Sequence, residues 1–204
     1  GRLDSTNVLT PLVSGVSKIE LDHMKYLGDS LEEIAREKAG IAKPEVPFVI
    51  GETRPDLVDV MRLEAWTTAR RLGGSADIRV LPPAYLWTGP LGLQGTFQRR
   101  NAAVAHGILM ALPAPYRPAP EVIAAGFGEA RIPGRFDRRG KWLFDVAHNP
   151  DGMLALTEAI ARARLPRPIH ALVSILGDKA WPDMLVRLDA AVDRGVLTVA
   201  PTAM

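Results

Sequence analysis

A basic side chain interrupts an apolar helical stripe in the stretch SLEEIAREKAG, residues 30–40. Leu31 and Ile34 recur at helical spacing and predict a buried face, and Lys38 falls on that face, four residues after Ile34. A buried ammonium loses hydration, so lysine is seldom buried without a partner. Two interpretations of Lys38 follow: its stem packs while its amine reaches water, or the amine reaches a functional site.

Other polar side chains follow predicted strands. Three pairs stand in such places: Asp22 with His23, Asp145 with His148, and Asp178 with Lys179. Parallel α/β sheets bind ligands at the carboxyl ends of their strands, so each pair is a candidate ligand contact. A lone histidine is nevertheless more often structural than a ligand. In the turn DVAHNPDG, Asn149 can simply cap the next helix while His148 stays exposed.

The elements that must position these residues alternate between strands and helices, which predicts an α/β fold with a mostly parallel sheet. Predicted strands cover residues 12–19, 46–51, 77–81, 84–89, 141–147, 168–176 and 195–200. Predicted helices cover residues 31–39, 55–72, 98–112, 121–130, 150–164 and 180–193. Ser30 and Glu33 form a capping-box pattern where the helix that carries Lys38 begins. We place a domain boundary near residue 131, because the later elements run βαβαβ, a doubly wound pattern.

Composition excludes several classes of function. The 204 residues include 25 basic and 23 acidic side chains without a dense basic run, which argues against a nucleic-acid partner. The absence of cysteine rules out disulfide and thiolate chemistry and is compatible with the cytoplasm. No apolar run of the sequence is long enough to span a bilayer, so we expect no membrane partner. A G-x-x-x-x-G-K-[ST] loop does not occur either, so the residues alone indicate only an α/β protein that could handle a nucleotide.

Five stretches of the sequence resemble one known family in order and spacing. They are GRLDSTN at 1–7, LDHMKYLGDSLEEIAREKAGI at 21–41, QRRNAAVA at 98–105, PGRFD at 133–137 and FDVAHNPDG at 144–152. Together they resemble the bifunctional dihydrofolate synthase/folylpolyglutamate synthase family of the Mur ligase superfamily. The resemblance implies the C-terminal part of a P-loop-type central ATPase domain at residues 1–131. A Rossmann-like C-terminal ligase domain, incomplete, is implied at residues 132–204.

This resemblance implies an ATP-dependent ligase that adds L-glutamate to dihydropteroate, to the γ-carboxyl of a folate, or to both. Family members phosphorylate the acid to an acyl phosphate, which the glutamate amine then attacks. ATP and Mg²⁺ are the implied cofactors, and the ions neutralise charged oxygens. Dihydropteroate or folate and L-glutamate are the implied partners, and we expect a monomeric, cytoplasmic enzyme.

The same resemblance implies roles for individual residues. They are pterin contacts at Leu3, Asp4 and Ser5, ATP contacts at Asn101, Arg135 and Asp145, a Mg²⁺ ligand at His23, and a supporting catalytic role for His148. Lys38 matches a carbamylated lysine, in which CO₂ has converted the neutral amine into an N-carboxylate that helps to organise a metal. Arg135 suits phosphate because its guanidinium is a permanent, fork-shaped donor.

The sequence also departs from the family pattern. The family's phosphate loop, a metal-binding serine and a glutamate ligand would precede Gly1, and the final strands of the second domain would follow Met204. We therefore expect a fragment that has no ligase activity by itself. Ala180 stands where the family often has aspartate. Two alternatives stay open: another Mur-type amino-acid ligase of cell-wall synthesis, and a non-catalytic nucleotide-binding module.

Overall fold

The computed structural model describes residues 1–21, 27–177 and 179–199, so Asp22, His23 and Asp178 lie outside the described residues. Strands and helices alternate along the chain and most strands pair in parallel, which confirms the predicted α/β class. Two compact units are present: residues 1–90 with 99–127, and residues 91–98 with the described residues from 128 onward. No helix among the described residues is long and apolar enough to cross a membrane. The domain boundary near residue 131 stays a prediction.

The first unit is built on a parallel sheet of three strands. They are β1 (Ser14–Val16), β2 (Pro47–Ile50) and β3 (Asp77–Val80), with β2 in the centre. The helices are α1 (Leu31–Ala39), α2 (Pro55–Arg71), α3 (Thr96–Ala111) and α4 (Pro120–Glu129), the last two for most of their length. Each of these elements lies where the sequence predicted a strand or helix of the same type.

Local sequence explains why α1 begins at Leu31. The Ser30 hydroxyl accepts a hydrogen bond from the Glu33 N–H at 3.2 Å, and the Glu33 carboxylate accepts one from the Ser30 N–H at 3.2 Å. The predicted capping box is therefore confirmed. Ile34 and Ala35 are fully buried and pack against side chains of β2 and α2. This packing fixes the helix that carries Lys38 against the sheet.

The second unit contains two separate pairs of strands. β4 (Asp137–Arg139) and β5 (Trp142–Phe144) form an antiparallel hairpin, whereas β6 (His170–Val173) and β7 (Arg194–Leu197) pair in parallel. Helices α5 (Pro150–Ala163) and α6 (Trp181–Asp189) pack against each other. A small core forms around this contact from Met153, Met184 and Leu188.

Two local predictions were wrong. Residues 84–89 are all described and form no strand: the Tyr85 N–H donates to the Pro82 carbonyl at 2.9 Å, because two consecutive prolines favour a turn. The later elements do not form one βαβαβ sheet within the described residues, because β5 pairs with β4 instead. The sequence did not predict this hairpin, because β4 consists of charged residues. Gly140, with a φ of +61°, permits its tight turn.

Candidate functional site

The N-terminal segment, residues 1–8, is fastened to the C-terminal half of α1. The Arg2 N–H donates to the Glu37 carbonyl at 2.8 Å, and the Arg2 guanidinium pairs with the Glu37 carboxylate at 2.7 Å. At the other end of the segment, Lys43 Nζ donates to the Asn7 carbonyl at 2.7 Å. These contacts hold the predicted pterin-contacting stretch beside the turn of α1 that carries Lys38.

Asp4 organises that stretch locally. Its Oδ1 accepts hydrogen bonds from the Thr6 hydroxyl at 2.5 Å and the Thr6 N–H at 2.8 Å, and so caps a short 3₁₀ helix, Ser5–Val8. These two hydrogen bonds lower the pKa of the Asp4 carboxyl group. Leu3, beside it, is 86% exposed. The stretch thus presents an apolar side chain next to a carboxylate.

Lys38 is half-buried on the stripe where the sequence placed it. Within the described residues, its ammonium makes no hydrogen bond or ion pair. This geometry agrees with the interpretation in which the stem of Lys38 packs while its amine reaches water. It also leaves the amine available for carbamylation. A chemical test therefore has to separate the two interpretations.

A buried acid beyond β2 was not among the predicted site residues. Glu52 is only 1% exposed. Its Oε2 accepts from the Ile19 N–H at 2.8 Å, and its Oε1 accepts from the Thr53 and Arg54 N–H groups at 2.7 and 3.0 Å. The Arg54 guanidinium pairs with the carboxylate at 2.9 Å and also donates to the Ile19 carbonyl. Together Glu52 and Arg54 link the chain segment that follows β1 to the segment that follows β2.

The contacts around Glu52 keep it charged. Burial raises the pKa of its carboxyl group, but hydrogen bonds from Arg54, Ile19 and Thr53 outweigh burial and hold the pKa at about 2. The hydrogen bond to Glu52 in turn raises the pKa of Arg54. A carboxylate that accepts this many hydrogen bonds stabilises the fold and is not suited to proton transfer.

A second cation reaches the same edge of the sheet from α3. Arg100 Nη1 donates to the Pro82 and Tyr85 carbonyls at 2.8 and 2.9 Å, and Nη2 donates to the Gly51 carbonyl at 2.8 Å. Pro82 and Tyr85 follow β3, whereas Gly51 follows β2. Arg100 therefore links α3 to the chain segments that follow β2 and β3.

Sequence reasoning missed this edge network, which comprises Glu52, Arg54 and Arg100. The available signal was the stretch GETRPD, in which an acid and an arginine stand two residues apart just after a predicted strand. Charged residues in such places are usually solvated. Only the contact between Glu52 and Ile19, 33 residues apart in sequence, reveals the burial.

In the second unit, Asp145 joins the PGRFD and FDVAHNPDG turns. Its Oδ2 accepts from the Phe136 N–H at 2.8 Å, and its Oδ1 accepts from the Ala147 N–H at 2.9 Å. The Val146 N–H adds a hydrogen bond to the Gly134 carbonyl at 2.9 Å. Two stretches that are distinct in the sequence thus form one surface of the unit.

Arg135 stands on this surface. Phe136, next to it, is buried and has a left-handed backbone with a φ of +49°, which anchors the turn. The Arg135 side chain is exposed, and its guanidinium makes no hydrogen bond or ion pair with the part of the chain that the structure describes. An anchored backbone with an available guanidinium is suited to binding an anionic ligand.

The same turn shows what Asn149 does. Its Oδ1 accepts from the Gly152 N–H at 2.7 Å and caps the start of α5, as the structural alternative predicted. His148 is exposed, and its Nδ1 lies 3.0 Å from the Val146 carbonyl oxygen. The catalytic role of His148 stays a prediction.

The predicted ATP contacts are divided between the two units. Asn101 is exposed on α3 in the first unit, whereas Arg135 and Asp145 belong to the second. The predicted metal ligand, His23, lies outside the described residues. Each unit therefore carries some of the predicted ATP contacts.

Several known proteins resemble this chain in both sequence and fold. The folylpolyglutamate synthase of Lacticaseibacillus casei is 33% identical, over 98% of this chain and 52% of its own length. The dihydrofolate synthase/folylpolyglutamate synthase of Escherichia coli is 30% identical, over 95% of this chain and 47% of its own length. A solved complex of FPGS with AMPPCP and folate matches with a TM-score of 0.82 at 29% identity, over 98% of this chain and 54% of that one. The chain is therefore similar in sequence and fold to folylpolyglutamate synthases, over about half of their length.

The chain spans about half the length of the curated folylpolyglutamate synthases that it matches. The match to the L. casei protein nevertheless covers 98% of this chain. No protein-family model matches the chain. The predicted resemblance and α/β fold are thus confirmed, and the roles of single residues stay predictions.

The predicted Mg²⁺ can be compared with the acidic and histidine side chains that the structure describes. Among the described residues, no group of three or more histidine, aspartate or glutamate side chains could hold a metal ion. The predicted Mg²⁺ and its ligand His23 remain predictions from the resemblance.

Proposed function

We propose that this chain forms part of an ATP-dependent ligase that joins L-glutamate to dihydropteroate, to the γ-carboxyl of a folate, or to both. The observation that carries the proposal is the 33% identity to a folylpolyglutamate synthase over 98% of the chain. A solved E. coli FolC complex contains DHPP and ADP, and it matches this chain with a TM-score of 0.76 at 30% identity. Those ligands support a pterin substrate and a nucleotide.

In the proposed reaction, a carboxylate oxygen of the pteroate or folate attacks the γ-phosphorus of ATP, and ADP leaves. The glutamate amine then attacks the carbonyl carbon of the resulting acyl phosphate. The tetrahedral intermediate loses phosphate and the amine proton, which leaves an amide. Both steps develop negative charge on oxygen, so fixed positive groups accelerate them. Mg²⁺, when bound, would add positive charge of this kind.

The first unit supplies the pterin side of the proposed site. Residues 1–131 would form the central ATPase part, with Leu3, Asp4 and Ser5 against the pterin substrate. The exposed Leu3 side chain can cover a flat ring while the fixed Asp4 carboxylate accepts a hydrogen bond. Lys38, as an N-carboxylate, would place a negative group on α1 next to Glu37, the residue to which this stretch is fastened.

The second unit supplies part of the nucleotide side. Residues 132–204 would form the Rossmann-like ligase part, with Arg135 and Asp145 contacting ATP and His148 in a supporting role. The exposed Arg135 guanidinium suits phosphate oxygens, and Asp145 fixes the turn on which it stands. Asn101 would contribute from α3, and a monomeric, cytoplasmic protein is part of the same proposal.

An assay of the full-length protein tests this function. Incubation with ATP, Mg²⁺, L-glutamate and either dihydropteroate or a folate should release phosphate and give a product one glutamyl unit heavier by mass spectrometry. Product from a nucleotide-linked muropeptide instead would support the cell-wall alternative. Nucleotide binding without turnover of any acid would support the non-catalytic module. The 204-residue chain alone should release no phosphate under the same conditions.

Substitution of Lys38 tests its chemical role. Lys38→Ala should lower turnover about 100-fold or more, as loss of a single electrostatic group often does, while the unfolding free energy changes by less than about 1 kcal/mol. The exposed Lys18, replaced by alanine, is the control. A carbamate signal in ¹³C NMR after addition of ¹³C-bicarbonate should be present in the wild type and absent in Lys38→Ala. Normal turnover of this variant would remove Lys38 from the site.

A further inference from the structure

We propose that Arg100 is a positioning residue for nucleotide binding: it fixes α3, and with it the neighbouring Asn101, at the carboxyl edge of the first unit's sheet. The inference rests on the proposed function, in which Asn101 contacts ATP. It concerns a side chain that the resemblance did not single out.

The contacts of Arg100 explain how it can position a neighbour. Its guanidinium binds the carbonyls of Gly51, Pro82 and Tyr85 at 2.8–2.9 Å, which belong to chain segments leaving two different strands. Successive residues of a helix point about 100° apart, so an inward Arg100 sets the outward direction of Asn101. Asn101 is accordingly exposed where Arg100 is half-buried.

Close packing makes α3 sensitive to this anchor. A Cβ atom added to Gly51 would collide with Val104 of α3, so the helix lies directly on the end of β2. Three carbonyls around one guanidinium require the planar fork of arginine, because an ammonium offers no such spaced set of donors. A small shift of α3 would therefore displace Asn101 from a nucleotide.

Charge within the edge network supports the same role. Burial lowers the pKa of Arg100 and the nearby Glu52 carboxylate opposes that shift, so the acid helps to keep Arg100 charged. The Nε atom of Arg100 is buried and finds no hydrogen-bond partner among the residues that the structure describes. The cost of this unsatisfied donor is offset by the three carbonyl contacts of the same guanidinium.

The pterin-contacting stretch is attached elsewhere. Arg2 and Lys43 tie it to α1 and to the chain just after α1, and neither contact involves the edge network. Loss of the Arg100 anchor should therefore weaken nucleotide binding and spare pterin binding. A purely structural staple would instead affect both ligands through the folded fraction.

The test is Arg100→Lys in the full-length protein, with Arg79→Lys as the matched control, because Arg79 pairs with Asp77 on the exposed part of β3. Isothermal titration with ADP and, separately, with dihydropteroate gives the two dissociation constants. We expect ADP affinity to fall about 5- to 10-fold in Arg100→Lys, with dihydropteroate affinity within about twofold of wild type, as for loss of one or two hydrogen bonds. The control should change neither.

Each other outcome overturns a defined claim. Unchanged ADP affinity, or equal losses for both ligands, would overturn the positioning role while leaving the proposed function intact. A wild-type protein that binds ADP and dihydropteroate but makes no product would overturn the proposed ligase activity alone. A wild type that binds no ADP would overturn both. Arg100→Gln, whose amide ends near the position of the arginine Nε and so loses the carbonyl contacts of Nη1 and Nη2, gives the same comparison if the lysine variant does not fold.

Discussion

Both units place a carboxylate just beyond the end of a strand, but they use it differently. Glu52 follows β2 and Asp145 follows β5, and each accepts hydrogen bonds from a distant N–H group and from nearby residues that follow it. Glu52 is 1% exposed and also binds Arg54. Asp145 is half-buried, and it forms no ion pair with the described residues.

This difference separates an anion that only holds the fold from one that can also meet a ligand. The oxygens of Glu52 are occupied by two chain segments and a guanidinium, so a ligand could reach them only by breaking those bonds. Asp145 fixes a turn with two backbone donors and keeps part of its surface exposed. We therefore expect substitutions of Glu52 to act on stability and those of Asp145 to act on both stability and nucleotide binding.

Glu52→Gln should have the largest effect. It leaves Arg54 without its counter-charge, and because the Arg54 side chain is partly exposed, we expect a loss of about 2–3 kcal/mol of unfolding free energy, below the value for a fully buried pair. Urea denaturation measures the loss. The control is Asp77→Asn, which breaks a pair with the same two-residue spacing, Asp77 with Arg79 at 2.7 Å, on the surface. It should cost less than about 1 kcal/mol, and equal losses in the two variants would contradict the comparison.

Acid should remove most of the stability that Glu52 contributes. Its pKa is about 2 in the folded protein against 4.5 for an ordinary glutamate, so the contribution is complete above pH 4.5 and is lost as the pH falls through 2. The contribution is on the order of 3 kcal/mol. The stability difference between wild type and Glu52→Gln should therefore shrink below pH 4.5 in urea titrations. A difference that stays constant down to pH 2 would show that the charge of Glu52 is not what stabilises the edge.

Asp145→Ala should have an intermediate effect. It removes the acceptor for the Phe136 and Ala147 N–H groups, and we expect a loss of about 1–3 kcal/mol in unfolding free energy. Asp145→Asn keeps one acceptor oxygen and should lose less. Unlike Glu52→Gln, both variants should lower ADP affinity more than their folded fraction explains, as titration calorimetry can show. If Asp145→Ala keeps the ADP affinity of the wild type, then Asp145, like Glu52, only stabilises the fold.

Arg135→Ala should have the smallest effect on stability and a selective effect on ATP. The side chain is exposed, so the unfolding free energy should change by less than about 0.5 kcal/mol. Loss of one charge-assisted phosphate contact should weaken apparent ATP affinity about 10-fold. Dihydropteroate affinity should stay near wild type, because the predicted pterin contacts belong to the other unit. Equal losses for the two ligands would refute this division of roles.

Sequence alone could predict what depends on neighbours along the chain. The Ser30–Glu33 capping box, the Asn149 cap and most helices and strands are of this kind. The β4–β5 hairpin was missed because Asp137 and the two arginines after it give no apolar alternation. The edge network was missed because its burial depends on three strands that are adjacent only in the folded sheet.

The tether between Arg2 and α1 has a consequence for how relatives of this chain can diverge. Its backbone part, Arg2 N–H to Glu37 carbonyl, is available to almost any pair of amino acids, whereas its side-chain part needs opposite charges. Positions 2 and 37 should therefore covary, so that a change of charge at one position is accompanied by a compensating change at the other. Where both become neutral, the backbone bond alone can keep the predicted pterin-contacting stretch in register with Lys38. Covariation between these two positions in an alignment would record that history.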